Sequence, residues 1–215
     1  YSRQSGNWND PNTWSSVGVG GPVDGGIPGA SNPVVIGDGI SQNHTVTITT
    51  NNVITGGLEI RGGSVLDLGT TTGHNFGALP ESKILGNGKI RISSATATAQ
   101  FPAGDFGNFL NVGGGTVEYY TTGTTGFTLP SSILNYNNLI LSPGNANITM
   151  PNVNMNIFSN FEIKGTGTGI ALLNSAAQRT LNVYGNLNIN SGTLRFNNNN
   201  NAQTIYVYGD INIDA

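Results

Sequence analysis

Thr180-Leu-Asn-Val-Tyr-Gly-Asn-Leu-Asn-Ile189 returns 24 residues later as Thr204-Ile-Tyr-Val-Tyr-Gly-Asp-Ile-Asn-Ile213. The two copies match position by position, and the one substantial change places Tyr206 where the first copy has Asn182. Apolar residues alternate with Asn, Thr or Tyr, which is the two-residue period of β-strands. Because a strand pattern that recurs at a fixed step is typical of repeat architectures, this stretch indicates a β-solenoid.

Weaker copies of the pattern precede this pair. Their anchor residues recur at steps of 32, 27, 22, 22, 26 and 24, and they are Leu58, Ile90, Val117, Leu139, Phe161, Leu187 and Ile211. A step near 22 to 24 fits one coil of two or three short strands, and the longer steps fit coils with loop insertions. The predicted fold is therefore all-β, a parallel β-helix that is right-handed by the usual preference of parallel connections. A β-sandwich or jelly roll is the alternative, because strands at similar spacing also suit those folds.

The repeat divides the chain into two predicted regions. Residues 1–50 are expected to form an N-terminal cap with the first strands, and residues 51–215 to form coils of 22–32 residues that continue past Ala215. The abundant Gly and Asn suit corners between short strands, since Gly adopts positive φ freely and Asn tolerates it. Asn at equivalent corners can form amide ladders between coils. The run 197–201 is interpreted either as such a corner or as simple low-complexity sequence.

Composition excludes several classes of function. Charged residues are 9% of the chain, the net charge is −3, and the eight Lys and Arg are scattered. A nucleic-acid-binding protein would need those cations clustered to neutralise phosphates, so no nucleic-acid partner is predicted. No apolar run approaches the roughly 20 residues of a transmembrane helix. Without cysteine there is neither a disulfide framework nor thiolate chemistry. If the protein is exported, a signal peptide has been removed before Tyr1.

Both tryptophans lie in one short segment, Ser5-Gly-Asn-Trp8-Asn-Asp-Pro-Asn-Thr-Trp14-Ser15. The first coil of a solenoid exposes an unpaired edge and an open core, which promotes aggregation unless something covers it. Trp8 and Trp14 come just before that coil and are predicted to plug it. The alternative is that they form an exposed platform on which sugar rings stack.

This segment, followed by Pro28-Gly-Ala-Ser31, Val35-Ile-Gly37 and the strand Thr45-Val-Thr47, resembles the opening of large cell-surface proteins of Bacteroidetes. Gly113-Gly-Gly-Thr-Val-Glu-Tyr119 is similar in style. Many proteins of that kind look like type IX secretion substrates, including gliding-motility and adhesin-like filaments. The resemblance implies a secreted protein on the exterior of the outer membrane. It also implies contact with the secretion machinery through a C-terminal sorting domain beyond Ala215.

The chain offers no recognisable catalytic motif, and no catalytic, cofactor-binding or metal-binding residue is predicted. Glu59, Arg91, Glu118 and Glu162 are expected to form one outward row, interpreted as a solvated face rather than a catalytic one. Asp38, between two glycines, is interpreted as part of a tight turn; a Ca²⁺ site is the alternative. His44 and His74 are isolated, which is not a metal-site pattern.

Tyr184 and Tyr208 occupy the same position of the two best copies and are predicted to stack outward in register. Such a ladder is usually structural, and a glycan-contact stripe is the alternative. The leading functional prediction is a non-enzymatic structural or adhesive module of a secreted bacterial surface protein, with a surface polysaccharide as one possible ligand. The alternatives are a carbohydrate-binding module, with Trp8, Trp14, Tyr184 and Tyr208 as its contacts, and the non-catalytic part of a polysaccharide-active β-helix enzyme.

Overall fold

The computed structural model of the protein describes residues 1–173, 179–196 and 203–214. Strands dominate these residues, neighbouring strands pair in parallel, and successive coils stack to form a β-solenoid. The prediction of a parallel β-helix is confirmed, whereas a β-sandwich would require antiparallel sheets. The run 197–201, interpreted as a possible corner, lies outside the described residues.

The chain divides by internal contacts into two compact units. Unit 1 comprises Tyr1–Arg91 and Phe101–Thr116, and unit 2 comprises Ile92–Gln100 and Val117–Ala215. Each unit is a stack of coils with its own apolar interior.

Unit 1 contains seven strands and two short helical turns. The strands are β1 Gly6–Asn7, β2 Pro33–Ile36, β3 Thr45–Thr47, β4 Gly57–Ile60, β5 Val65–Asp67, β6 Ile84–Leu85 and β7 Lys89–Ile92. The turns are a 3₁₀ helix, Pro11–Thr13, and the helix α1, Gly107–Leu110. One sheet has the order β1-β3-β5-β7 and a second the order β2-β4-β6. Helix α1 places Phe109 in the interior, where it is fully buried.

The early repeat alignment is wrong at Leu58. Leu58 pairs with Val34 and Ile84 in the β2-β4-β6 sheet, whereas Ile90 pairs with Leu66 in the other sheet. The two four-residue patterns look alike because both are half-buried strands, but they lie on different sides of the coil. The two anchors therefore do not mark successive passages of one sheet.

Unit 2 is the more regular stack. Its strands are β8 Thr116–Tyr120, β9 Phe127–Thr128, β10 Asn135–Tyr136, β11 Asn138–Ser142, β12 Ile148–Thr149, β13 Met155–Ile157, β14 Phe161–Lys164, β15 Ala171–Leu173, β16 Arg179–Val183, β17 Leu187–Ser191, β18 Leu194–Phe196, β19 Gln203–Val207 and β20 Ile211–Ile213. They form three sheets with the orders β8-β11-β14-β17-β20, β10-β13-β16-β19 and β9-β12-β15-β18. The later anchors are confirmed, because Leu139, Phe161, Leu187 and Ile211 pair in succession.

Alternation along the strands fills the interior of unit 2 with apolar side chains. Phe161, Ile163 and Val183 have no exposed surface, and burying a side chain of this size contributes about 1.5–3 kcal/mol. Two buried tyrosines, Tyr119 and Tyr136, satisfy each other through hydroxyls 3.1 Å apart. Burial raises the pKa of both phenols above the ordinary value, so they remain neutral hydrogen-bonding groups.

The tryptophan pair is buried, as predicted for a cap. Trp8 and Trp14 are each 1% exposed, their ring centroids are 4.9 Å apart in an edge-to-face arrangement, and Trp14 Nε1 donates to the Trp8 carbonyl at 2.8 Å. The backbone N–H of Trp8 donates to Thr47 at the end of β3, and its ring lies 6.1 Å from that of Phe76. The two indoles therefore form part of the apolar interior of unit 1.

Candidate functional site

The outward face of the β10-β13-β16-β19 sheet carries an asparagine row. Strand register aligns Asn135, Asn156 and Asn182. The Nδ2 of Asn156 donates to Oδ1 of Asn135, and the Nδ2 of Asn182 donates to Oδ1 of Asn156, both at 2.9 Å. Amide ladders were expected at the corners between strands, whereas this one lies at strand positions. Each amide is held in one orientation by its neighbours, so it meets a ligand without first losing side-chain freedom.

An aromatic row runs beside the asparagine row. The rings of Phe158 and Tyr184 have centroids 6.0 Å apart at 25°, and those of Tyr184 and Tyr208 are 5.1 Å apart at 7°. Tyr184 is 48% exposed and Tyr208 is 65% exposed. The predicted outward stacking of the two tyrosines is confirmed. Because the rings cover one another's faces, the row presents mainly ring edges and hydroxyls to solvent.

A second ladder follows the aromatic row at the corner of the coil. Oδ1 of Asn138 accepts the backbone N–H of Asn160 at 3.2 Å, Oδ1 of Asn160 accepts that of Asn186 at 3.0 Å, and Oδ1 of Asn186 accepts that of Asp210 at 2.9 Å. These bonds satisfy corner N–H groups that strand pairing leaves over. The corner is fixed in every coil from β11 to β20, and this fixes the aromatic row two residues earlier.

Tyr206 interrupts the asparagine row. It pairs with Asn182 across β16 and β19, in the position that an amide occupies in the three preceding coils. Its side chain is 53% exposed, and among the described residues no other ring stacks on it. The side-chain carbonyl of Asn182 therefore lacks the amide donor that Asn156 and Asn135 each receive. The asparagine row therefore ends at Asn182, and an aromatic side chain occupies the equivalent position in the next coil.

Sequence reasoning identified Tyr184 and Tyr208 but missed Phe158, Tyr206 and the positions of the asparagine row. Phe158 could have been found from a local pattern, because it lies two residues before a corner asparagine. Tyr184 has the same relation to its corner asparagine in Tyr184-Gly-Asn186. The signal for Tyr206 is the single substantial mismatch in the best repeat.

Burial of the two tryptophans decides between the alternatives left open for them. Neither Trp8 nor Trp14 presents a ring face to solvent. This corrects the alternative in which they form an exposed platform for sugar rings.

The predicted row of charges is wrong in unit 1. Glu59 belongs to the β2-β4-β6 sheet and forms an ion pair with Arg61 at 2.8 Å. Arg91 pairs with Asp67 in the other sheet and donates to its carboxylate at 2.7 Å. The displacement of Glu59 follows from the misassigned repeat at Leu58.

In unit 2 the predicted solvated face is wrong for Glu118. Its side chain is buried and accepts a hydrogen bond from the Ser142 hydroxyl at 2.9 Å. Glu162 is partly exposed, accepts from the Asn190 amide and lies 3.8 Å from the Lys164 ammonium. The hydrogen bonds from Ser142 and Asn190 link neighbouring strands, whereas Glu162 and Lys164 lie on the same strand, β14.

The tight-turn interpretation of Asp38 is confirmed. One carboxylate oxygen accepts the backbone N–H groups of Ile40, Ser41 and Gln42 at 2.8–2.9 Å. These bonds, led by that from Ile40, lower the pKa of Asp38. Among the described residues, no group of three or more His, Cys, Asp or Glu side chains could hold a metal ion.

His74 is buried within unit 1. Nδ1 accepts the backbone N–H of Val53 at 3.2 Å, so the proton of the neutral ring lies on Nε2, 3.0 Å from the Thr71 hydroxyl. The ring stacks on Phe76 at a centroid distance of 5.8 Å. Burial lowers the pKa of His74 below its ordinary value, with a smaller opposing effect from Thr71. His44 is less buried and hydrogen-bonds Ser2 at 2.8 Å.

Comparisons with protein-family models, with curated proteins and with solved structures give no match to this chain. Over the described ranges, no helix is long and apolar enough to cross a membrane.

Proposed function

We propose that this chain is a structural and adhesive module of an exported bacterial surface protein. The observation that carries the proposal is the pair of side-chain ladders in unit 2, Asn135-Asn156-Asn182 and Asn138-Asn160-Asn186. The ladders stabilise the stacking of coils through hydrogen bonds rather than charges. They also hold an uncharged outward face in register, which is what a display scaffold needs.

Export to the cell surface is part of the same proposal. A chain with 9% charged residues and no cysteine depends on amides and hydroxyls for its polar surface. The Trp8–Trp14 segment supports assignment to Bacteroidetes-type surface proteins by resemblance. We infer export by the type IX route on that ground.

Pulling on the whole chain in an optical trap tests the scaffold role. Handles attached at the two termini would apply force while extension is recorded. Coils of unit 2 repeat every 22–26 residues, so each coil released adds roughly 70–90 Å of extended chain. A series of steps of that length at rising force is expected. A single low-force transition without steps would contradict a scaffold built from separately braced coils.

Location is tested on intact cells of the organism that makes the protein. Antibodies raised against the chain are expected to label unpermeabilised cells, and external protease is expected to remove the label. Labelling only after permeabilisation would contradict surface export.

A carbohydrate-binding module is the second candidate function. It is favoured by the exposure of Tyr184 beside the asparagine row, on the outward face of the β10-β13-β16-β19 sheet. It differs from a purely structural role in requiring a ligand that this face recognises.

A further inference from the structure

A groove opens on the outward face of the β2-β4-β6 sheet in unit 1. Strand register places Val35, Glu59 and Leu85 side by side on its floor, and the turn 79–82 forms one wall. Its volume is about 370 Å³, which lies in the range of ligand-binding pockets. Leu79 and Leu85 are 37% and 41% exposed, so two large apolar side chains of the groove face solvent.

Two glycines give the groove its shape. Gly57 begins β4 on the outward side, and because it lacks a side chain it leaves a notch between Pro33 and Ser82. Gly56 lets Leu79 lie against the strand, since a Cβ at that position would be only 2.7 Å from Cδ1 of Leu79. The backbone N–H of Leu79 also donates to the Gly56 carbonyl at 3.2 Å. The wall is therefore held in place before a ligand binds, which reduces the entropy lost on binding.

Glu81 occupies a strained backbone position at the rim of this groove. Residues 79–82 form a turn that is closed by a bond from the Ser82 N–H to the Leu79 carbonyl at 3.2 Å. Pro80 at the second position and a φ of 59° at Glu81 fit a type II turn, whose third position favours glycine. Holding a residue with a Cβ there costs stability, and such positions cluster at functional sites. The needs of the turn therefore do not explain why a glutamate is present.

The charged side chains that line the groove differ in whether they are paired. Glu59 is bonded to Arg61 at 2.8 Å, and Lys83 to Asp105 at 2.9 Å, so these charges balance each other. No residue that the structure describes donates to the carboxylate of Glu81 or forms an ion pair with it, and Glu81 is exposed. The groove thus combines exposed leucines with one uncompensated negative charge. The complementary ligand carries an apolar group next to a cation.

We propose that this groove binds an extended segment of a partner polypeptide in which a lysine or arginine lies beside an apolar residue. The apolar side chain packs on Leu79 and Leu85, and the cation pairs with Glu81. This site lies in unit 1 alone, so it goes beyond the structural and adhesive role and does not depend on the ladders of unit 2.

The shape of the groove favours a polypeptide over a small molecule. Small-molecule sites enclose most of the surface of their ligand, whereas here the apolar residues lie on an open face of the sheet. From β2 to β6 this face is roughly 10 Å wide at the usual strand spacing, which about three residues of an extended chain can cross. Exposed apolar residues bordered by a charge are also the pattern of protein interfaces. A small organic cation would pair with Glu81 without covering both leucines.

The test begins with random heptapeptides displayed on phage and selected on the whole chain. A consensus with a lysine or arginine within two positions of a leucine, isoleucine, valine or phenylalanine is expected. The consensus peptide is then synthesised with a fluorophore, and its affinity for the whole chain is measured by fluorescence anisotropy.

Three variants separate binding from folding. Glu81→Gln removes the charge but keeps the shape, and should weaken binding about fivefold, the upper limit for an exposed ion pair. Glu81→Gly also relieves the turn, so it should weaken binding by the same factor while keeping or raising the melting temperature. Gly57→Ala fills the notch, because its Cβ would meet that of Ser82 at an ordinary contact distance of 3.5 Å. It should weaken binding to a similar extent in a protein that still folds.

Gly18→Ala is the matched control, because among the described residues no heavy atom lies within 4 Å of the Cβ that it adds. It should leave the affinity unchanged. Selection without a consensus, or a consensus without a basic residue, would overturn the proposal. So would a peptide that binds Glu81→Gln or Gly57→Ala as tightly as the wild type. Stepwise unfolding and surface labelling are measured separately, so failure of this test would leave the structural role standing.

Discussion

Replacing Trp14 by alanine should destabilise unit 1 severely, because this indole is buried and makes two kinds of contact. It packs edge-to-face on Trp8 at 4.9 Å, and its Nε1 donates to the Trp8 carbonyl at 2.8 Å. Truncating a buried tryptophan costs about 3–5 kcal/mol. Leaving the buried carbonyl without its donor places Trp14→Ala at the upper end of that range.

The expected change is measured by circular dichroism during thermal and urea unfolding, with light scattering to detect association. For a domain of this size, 1 kcal/mol shifts the melting temperature by about 2–4 °C, so a cost of about 5 kcal/mol predicts a loss of roughly 10–20 °C. Trp14→Phe keeps an aromatic ring but lacks the N–H donor, and should lose about 1–3 kcal/mol. Val17→Ala is the control, since Val17 is 72% exposed in the same region and should change stability by less than about 0.5 kcal/mol.

A Trp14→Ala protein that melts within 2 °C of the wild type and remains monomeric would refute the reasoning. It would mean that the tryptophan pair does not close the interior of unit 1. Loss of stability without association would retain the packing role but remove the argument that the pair prevents aggregation.

Three further predictions concern buried or ordered polar groups. Asn156→Ala removes both ladder bonds of that amide and should lower the free energy of unfolding in urea by about 1–2 kcal/mol. Asn135→Ala removes only one bond and should lower it less. An equal or larger loss for Asn135→Ala would contradict the ladder. Tyr119→Phe should cost about 1–3 kcal/mol by leaving the buried Tyr136 hydroxyl unpaired, and the double variant Tyr119→Phe/Tyr136→Phe should recover part of that loss; a double variant that is worse by the sum would contradict the pairing. His74 has a folded-state pKa below its unfolded value, so its contribution is fully present above about pH 6.5 and falls as pH decreases through that value. His74→Gln should flatten the loss of stability as pH falls below about 6.5 towards the lower folded-state pKa, and an unchanged slope in that variant would contradict the assignment.

The sequence predicts the fold best where coils follow one another without insertions. From Leu139 to Ile211 the anchor positions match the strand register, because each coil repeats the last with only small differences in length. The alignment fails at Leu58, where alternation correctly predicts a strand but not the sheet to which it belongs. The alternation of apolar and polar residues shows that one side of a strand is buried. Which sheet the strand joins is determined instead by its contacts with other coils.

The types of residue on the candidate face were predictable from the sequence, but most of their positions were not. Tyr184 and Tyr208 follow directly from the 24-residue repeat, but Phe158 lies 26 residues before Tyr184 and escapes a fixed-step comparison. Amide ladders were expected from the abundance of Asn, whereas only register shows that Asn156 and Asn182 are aligned. The burial of Glu118 was not predictable from alternation, because alternation gives the direction of a side chain and not what covers it.

Disulfide trapping tests most directly whether unit 2 stacks in the register on which the face depends. The chain has no cysteine, so paired substitutions can be read without interference. Asn156→Cys with Asn182→Cys places the two thiols on neighbouring strands in register, where the usual strand spacing of about 4.8 Å lies within the Cα–Cα range of disulfides. Asn156→Cys with Thr180→Cys is the control, since two residues of offset increase that separation to roughly 8 Å. Rapid cross-linking of the first pair and slow cross-linking of the second are predicted; equal rates, or faster reaction of the offset pair, would contradict the stacked register.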